Sequence, residues 1–370
     1  MKVLIVGNYK ELSGWSTQLK NHILALDSVG VDVVPRNITI TQNVDPNVPQ
    51  RILELEERSS KNPDVVVLNT LPAFYERQGG AKYFGFYVAE TSSFKPAGWQ
   101  HKINLMDRAI VPNFFCQETS RRSEVKVPIH IVPQALDIHK FDVKYPVHPI
   151  RQANPNDFIF YTIGELTRRK NVEAILRAFH TEFSPNEPVQ LFVKTTPTGL
   201  GDNPQQLINE LVNKVKGGLK LYNSVDRYKK EFIIPSYASD EEINSIHQSC
   251  NCYVTASHGE AFNIPLAEAM AAGKIVVAPN HSGMDYVTEK NAFVPRSYAA
   301  TCFGAVDTIS DLYTGREWWH DVDVDSLRKC MRDAFEKRDL SRKKIEVAKK
   351  DIQKFSYQTV GKIYKETLQK

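Results

Sequence analysis

The sequence predicts an α/β protein made of two Rossmann-like doubly wound domains. Three observations carry this expectation. A short apolar run that ends in glycine and leads into an amphipathic stretch opens the chain at Val3–Gly7, and the same pattern restarts at Phe158–Gly164. Between the two, residues 142–157 hold Pro146, Pro149 and Pro155 with little periodicity, the composition of an interdomain connection. On both sides, short β-branched runs alternate with helical patterns, which favours parallel sheets covered by helices.

The elements follow in order. Val3 to Val6 reads as a strand and Gly7 opens a loop, after which Leu19, Ile23, Leu24 and Leu26 recur at helical spacing. Further strands are predicted at 31–35, 65–68, 83–88, 108–111 and 129–132, completing a first domain over residues 1–145. Residues 146–156 form the linker. The second domain, 157–350, begins with a strand at 158–163 and a loop at 164–170. Asn171 then caps a helix running through Ile175, Leu176 and Phe179. Later strands are predicted at 189–193, 232–234, 252–255 and 275–278. A last helix, residues 351–370, carries Ile352, Phe355, Val360, Ile363 and Tyr364 at mixed helical spacing. The Trp318-Trp319 pair, next to acids, reads as a cover for the core.

Composition narrows the function classes. At 370 residues, 42% hydrophobic and 24% charged, the chain can bury the cores of two or three globular domains and is not a disordered protein. No apolar run approaches the ~20 residues that span a bilayer, and the opening strand is too short for a signal-peptide core, so a cytoplasmic location is expected. The cysteines, Cys116, Cys250, Cys252, Cys302 and Cys330, are odd in number and scattered, and read as reduced thiols with no structural metal. A net charge of +4 permits contact with anionic headgroups or nucleic acid without requiring it. Nothing in the sequence fixes an oligomeric state.

The chemistry concentrates in His258-Gly259-Glu260-Ala261-Phe262-Asn263-Ile264-Pro265-Leu266-Ala267-Glu268. Pro265 suits the first turn of a helix, with Asn263 or Ile264 just outside it, and Gly273 suits its left-handed end. Glu260 therefore belongs to the loop and Glu268 to the helix. Backbone N–H groups from Ala261 to Asn263 and the positive end of the helix would point into the space between these acids, where a phosphate could rest. Carboxylates on either side could accept hydrogen bonds from sugar hydroxyls. Ligands of such sheets lie beyond the carboxyl ends of the strands, which sets the loop bearing Arg168, Arg169 and Lys170 on the same edge. Those cations could hold a diphosphate.

This segment resembles the Glu-x7-Glu motif of the retaining, nucleotide-sugar-dependent glycosyltransferases of group 1, a family 4-like set with the two-domain GT-B fold. The resemblance extends to Tyr237–Ile243, to Cys252–Ser257 before the motif, to Lys274–Pro279 and Ser282–Val287 after it, and to Gly164–Asn171, in the same order along the chain. It is specific from 158 to 294 and looser over 1–142. It implies donor binding by the second domain, acceptor binding by the first and a last helix crossing back onto the first domain. Metal and cofactor are not implied, the nucleotide sugar being the donor substrate.

Carried over by position, Glu268 resembles the ribose-binding acid and Glu260 the acid that contacts the donor sugar, with Phe262 and Asn263 offering backbone N–H groups and His258 and Gly259 beside them. Lys170 resembles the lysine on the diphosphate. Gly14, in Ser13-Gly14-Trp15-Ser16, is similar to the amino-terminal glycine loop, with Tyr9 and Lys10 expected on the acceptor-facing rim. Two positions depart from the family pattern. Glu165 stands where an arginine is usual, so Arg168 or Arg169 would have to compensate, and Glu90 stands where a first-domain histidine is usual. The resemblance implies a hydroxyl acceptor on a glycan or lipid-linked sugar, with peripheral membrane contact compatible; a hydroxymethylated DNA base is the minority alternative. Two rival readings stay open: a phosphorylase or epimerase on the same fold, and a nucleotide-sugar-binding protein that has lost catalysis.

Overall fold

Short, fully apolar strands can be buried on both faces only if helices cover both sides of the sheet, and this protein does so twice. The computed structural model describes residues 1–41, 43–153, 155–197, 200, 203–305 and 312–370. The first half runs β1 (Lys2–Gly7), α1 (Gly14–Ser28), β2 (Asp32–Asn37), α2 (Gln50–Glu56), β3 (Val65–Asn69), β4 (Lys82–Phe86), α3 (Trp99–Ile103), β5 (Arg108–Val111), α4 (Phe114–Arg122) and β6 (Ile129–Ile131). Its strands lie in the order β2-β1-β3-β4-β5-β6, every pair parallel, with Val3 opposite both Val33 and Val65. All of β3 is buried. Each such Val, Ile or Phe contributes roughly 1.5–3 kcal/mol on burial.

The second half runs α5 (Pro149–Ala153), β7 (Phe158–Ile163), α6 (Val172–Glu182), β8 (Val189–Thr195), α7 (Pro204–Leu219), β9 (Phe232–Pro235), α8 (Asp240–Ser249), β10 (Cys252–Val254), α9 (Ile264–Ala271) and β11 (Ile275–Val277). These strands form a parallel sheet in the order β11-β10-β7-β8-β9. There follow β12 (Ser297–Thr301) and β13 (Trp318–Val322), paired antiparallel, then α10 (Val324–Glu336), α11 (Arg338–Asp351) and α12 (Tyr357–Gln369). The architecture is the expected pair of doubly wound α/β units. The β12–β13 pair is an addition that the sequence pattern did not announce; Trp319 is the centre of its small core with Cys302 and Tyr313.

The chain changes halves early. Val132 and Ala135 pack in the core of the first sheet, while Leu136, Ile138 and Ile150 already belong to a core of the second. Leu136 and Ile138 therefore already lie on the second half, ahead of the proline-bearing stretch at 142–157. The return is made at the end of the chain, where the predicted single helix is broken: Ile352–Phe355 is a short 3-10 turn, and Ser356 caps α12 by accepting from Thr359 N. Ile352 and Phe355 stay with the second half, whereas Val360, Tyr364 and Leu368 pack on the first. Gly361 lets α12 meet α1, since a Cβ there would lie 2.2 Å from Ala25 O.

Both sheets turn their carboxyl edges toward each other, and the loops there touch directly. Ser92 N donates to Trp318 O and Trp318 N to Ser92 Oγ, both at 3.0 Å. Asn113 Nδ2 donates to Ala261 O.

Candidate active site

The loop after β7 distributes its cations in three directions. Lys170 N donates to Thr167 O and Asn171 N to Arg168 O, so the backbone turns tightly and successive side chains diverge. Asn171 does not cap α6 with its side chain as expected: it adopts a left-handed conformation, φ 50°, which asparagine tolerates, and its Nδ2 donates to Ala256 O at 3.2 Å. This ties the loop to the end of β10. Arg168 turns outward, donating to Phe303 O at 2.6 Å with its guanidinium 5.9 Å from the Trp319 ring. Arg169 reaches the first domain, 3.0 Å from Glu90 Oε1, while also donating to Gly259 O at 2.9 Å and standing 3.2 Å from Glu260 Oε2. Lys170 Nζ donates to Glu260 Oε1 at 2.7 Å.

The loop between β10 and α9 is built to hold Glu260 in place. His258 N donates to Arg169 O at 2.8 Å, Glu260 N to Ser282 Oγ at 3.0 Å, and Ser257 Oγ to Glu260 Oε1 at 2.7 Å. Burial pushes the Glu260 carboxyl up, but Lys170 and Arg169 outweigh it and hold the group down at about 2. It is ionised at neutral pH. Asn263, with φ 68°, starts α9 and caps it by accepting from Leu266 N at 3.2 Å, so Ile264 is the first helical residue and Pro265 the second. Among the described residues, the N–H groups of Ala261, Phe262 and Asn263 find no acceptor in the protein. They are donors in waiting at the positive end of a helix.

Lys170 and Glu260 line one narrow cavity with Gly164, Thr255, Ser257 and Asn263. Glu268 lies outside that lining. Its Oε1 accepts from Lys140 Nζ, and its Oε2 lies 3.5 Å from His247 Nε2. Burial raises its pKa, yet Lys140 and His247 bring it to about 2. The structure therefore brings Lys170, Glu260, Arg169, Gly259 and Glu90 together and sets Glu268 on a neighbouring cluster beyond Asn263, which contacts Tyr253.

Other expected residues separate similarly. His258 is packed away: its ring stacks on Trp319 at 4.5 Å and its Nδ1 lies 2.7 Å from Asp321. Burial lowers its pKa, which favours the neutral ring. Gly14 is the exposed first residue of α1, capped by Ser13, and takes no part in the contacts around Glu260. Tyr9 and Lys10 do not form an open rim. Tyr9 is fully buried, and both side chains reach Glu56, Tyr9 Oη at 2.8 Å and Lys10 Nζ at 2.6 Å. Phe262 is buried against Tyr286 and Phe355.

Gly259 is needed for a reason the sequence does not reveal. Its φ is not positive, but a Cβ there would lie 2.0 Å from Glu90 O. The first domain's backbone rests on this glycine. Gly283 does the same for Ala261 O, at 2.1 Å. Sequence reasoning also missed Lys140, Asn113, Ser257, Ser282 and Tyr313, whose Oη donates to Glu90 Oε2 at 3.2 Å. Apart from Ser257, three residues before Glu260, their partners are remote in sequence, so no local spacing marks them. Among the described residues, no group of three or more His, Cys, Asp or Glu is set to hold a metal ion, and no helix is long and apolar enough to cross a membrane.

Comparison with known proteins places this arrangement. Residues 146–301 match the family model of glycosyl transferases group 1. A stretch of 136 residues, 36% of the chain, is 26% identical to the serotype-specific mannosyltransferase WbdA of Escherichia coli, and spans only 15% of that protein. The fold is shared with sucrose-phosphate synthase from Thermosynechococcus elongatus, with TM-score 0.68 and 14% identity over 100% of this chain and 98% of that one. It is shared also with Anabaena HepE in complex with UDP and glucose, with TM-score 0.63 and 16% identity over 100% and 99%.

Proposed function

We propose that this chain, whose residues 146–301 match the group 1 glycosyl transferases, moves a sugar from a nucleotide-sugar donor to a hydroxyl on a glycan or lipid-linked acceptor, with retention of anomeric configuration and without a metal. The observation that carries the reading is the Lys170–Glu260 ion pair, which lines a narrow cavity with Asn263 at the start of α9, where the N–H groups of residues 261–263 find no acceptor among the described residues. Breaking the bond between the anomeric carbon and the diphosphate builds negative charge on the leaving oxygens. Lys170, the N–H groups of Ala261, Phe262 and Asn263, and the amino end of α9 are fixed donors for that charge. Glu260, ionised and held by Ser257, accepts hydrogen bonds from donor-sugar hydroxyls. The departing phosphate oxygen takes the acceptor's proton on the same face of the sugar, so no strong side-chain base is required.

Glu90 and Arg169 join the two halves at this point. Arg169 is shared between Glu90 and Glu260, and a diphosphate bound here would compete for it. HepE, described with UDP and glucose, supports a nucleotide-sugar donor by its shared fold. The test is a panel of nucleotide sugars offered with mannose-terminated and lipid-linked acceptors, scored by nucleoside diphosphate release and by NMR of the product. Acceptor-dependent release with the donor's anomeric configuration kept is the expected result. Inverted product, or donor turnover that never depends on an acceptor, would overturn it.

A further inference from the structure

We propose that Lys140, on the stretch joining the two sheets, is a donor-site positioning residue that sets the Glu268 carboxylate for the ribose hydroxyls of the nucleotide. This inference rests on the donor reading above, together with the ribose-binding role that the family resemblance implies for Glu268, and adds a residue to it. Lys140 Nζ donates to Glu268 Oε1 across 128 residues of sequence, and both side chains are largely buried, at 18% and 8% exposure. The stretch is not a loose tether. Tyr145 Oη donates to Lys140 O at 2.9 Å, Tyr145 N to Gln248 Oε1 at 2.9 Å, and Gln248 Nε2 to Val143 O at 2.6 Å.

Gln248 adjoins His247 on α8, so the stretch is stapled to the helix that supplies the other neighbour of Glu268. His247 Nδ1 is 2.7 Å from Tyr161 Oη, and its ring is fully buried, which favours the neutral form. Lys140 is therefore the full positive charge in contact with Glu268. Left alone, a buried carboxyl tends to keep its proton and lose an acceptor oxygen; held by Lys140 it stays ionised. Lys140 engages Oε1 and His247 Nε2 stands 3.5 Å from Oε2, which together fix the rotation of the group. Of the about four lone-pair sites of an ionised carboxylate, this leaves about two for adjacent hydroxyls.

The readout is discrimination by the ribose. Wild-type protein is first screened by calorimetry against ADP, GDP, UDP, CDP and dTDP, and the tightest ligand is compared with its counterpart lacking the ribose hydroxyls. Loss of hydrogen bonds to a charged acceptor weakens binding roughly 10- to 100-fold, which is the discrimination expected of the wild type. Lys140→Met should shrink it to within about 3-fold, and Lys140→Arg, which keeps a cation, should restore most of it. A merely structural lysine would lower the affinity of both ligands equally and leave the ratio intact; that result in Lys140→Met, or in a well-folded Lys140→Gln if Met fails to fold, overturns the inference. Failure of the wild type to bind any of the ligands would overturn the donor reading itself, and the inference with it.

Discussion

Replacing Gly259 by alanine tests whether contact between the two halves belongs to the working enzyme. A Cβ on residue 259 would stand 2.0 Å from Glu90 O and 3.1 Å from Glu90 C, both backbone atoms that cannot rotate away. Real Cβ contacts stay above 3.0 Å, so the loop carrying Glu90 and the loop carrying Glu260 must part by at least ~1 Å. The substitution strains no dihedral, because Gly259 does not occupy the left-handed region. Its cost falls on the approach of the halves. Arg169 reaches Glu90 at 3.0 Å and Glu260 at 3.2 Å, and cannot keep both contacts across the wider gap. A displacement of about 1 Å in a reacting pair costs on the order of 100-fold in rate. Gly259→Ala should therefore lower kcat about 100-fold while changing nucleoside diphosphate affinity by less than about 3-fold and leaving the circular dichroism spectrum intact. Wild-type kcat in a folded Gly259→Ala protein would refute the reasoning, since the halves would then be working without this contact.

Two other outcomes follow from the ion pairs. Glu260 and Glu268 both have folded pKa values near 2 against an ordinary 4.5, so each stabilises the fold above about pH 4.5 and loses that contribution as pH falls toward 2, a difference on the order of 3 kcal/mol apiece. The melting temperature should decline across that window, and Glu260→Gln should remove its share of the decline; an equally steep decline in the variant would contradict the assignment. Arg169→Met removes the cation that Glu90 and Glu260 share, and should cost about 3 kcal/mol in urea unfolding, the lower end for breaking a buried pair. A loss below about 1 kcal/mol would show that Arg169 is dispensable to the contact.

Much of the architecture was legible because the strands of a doubly wound sheet are continuous apolar runs bounded by turn residues. Val65–Asn69 and Phe158–Ile163 are of this kind and form strands where the pattern puts them. The β12–β13 pair was not legible: Ser297–Thr301 is largely exposed, so no alternation of apolar and polar residues marks it. Where the chain changes halves was also hidden, because Leu136 and Ile138 choose their core by tertiary contact rather than by spacing. The start of α9 could be read from Asn263 and Pro265, since capping is local. Side-chain direction could not. Arg168, Arg169 and Lys170 are adjacent in sequence yet face Phe303, Glu90 and Glu260, a divergence set by the turn at Thr167–Asn171. The position of Tyr9 after the first strand suggests a rim, but its ring is core and its hydroxyl reaches Glu56.

The central claim is that the cavity shared by Lys170 and Glu260 grips the diphosphate of a nucleotide sugar. Calorimetric titration of nucleoside diphosphates into wild-type protein and Lys170→Ala addresses it most directly. One nucleoside diphosphate should bind the wild type at micromolar Kd, and the variant should bind it at least ~10-fold more weakly, the loss expected for one charge-assisted hydrogen bond to phosphate. Equal affinity in a folded Lys170→Ala protein would contradict the account.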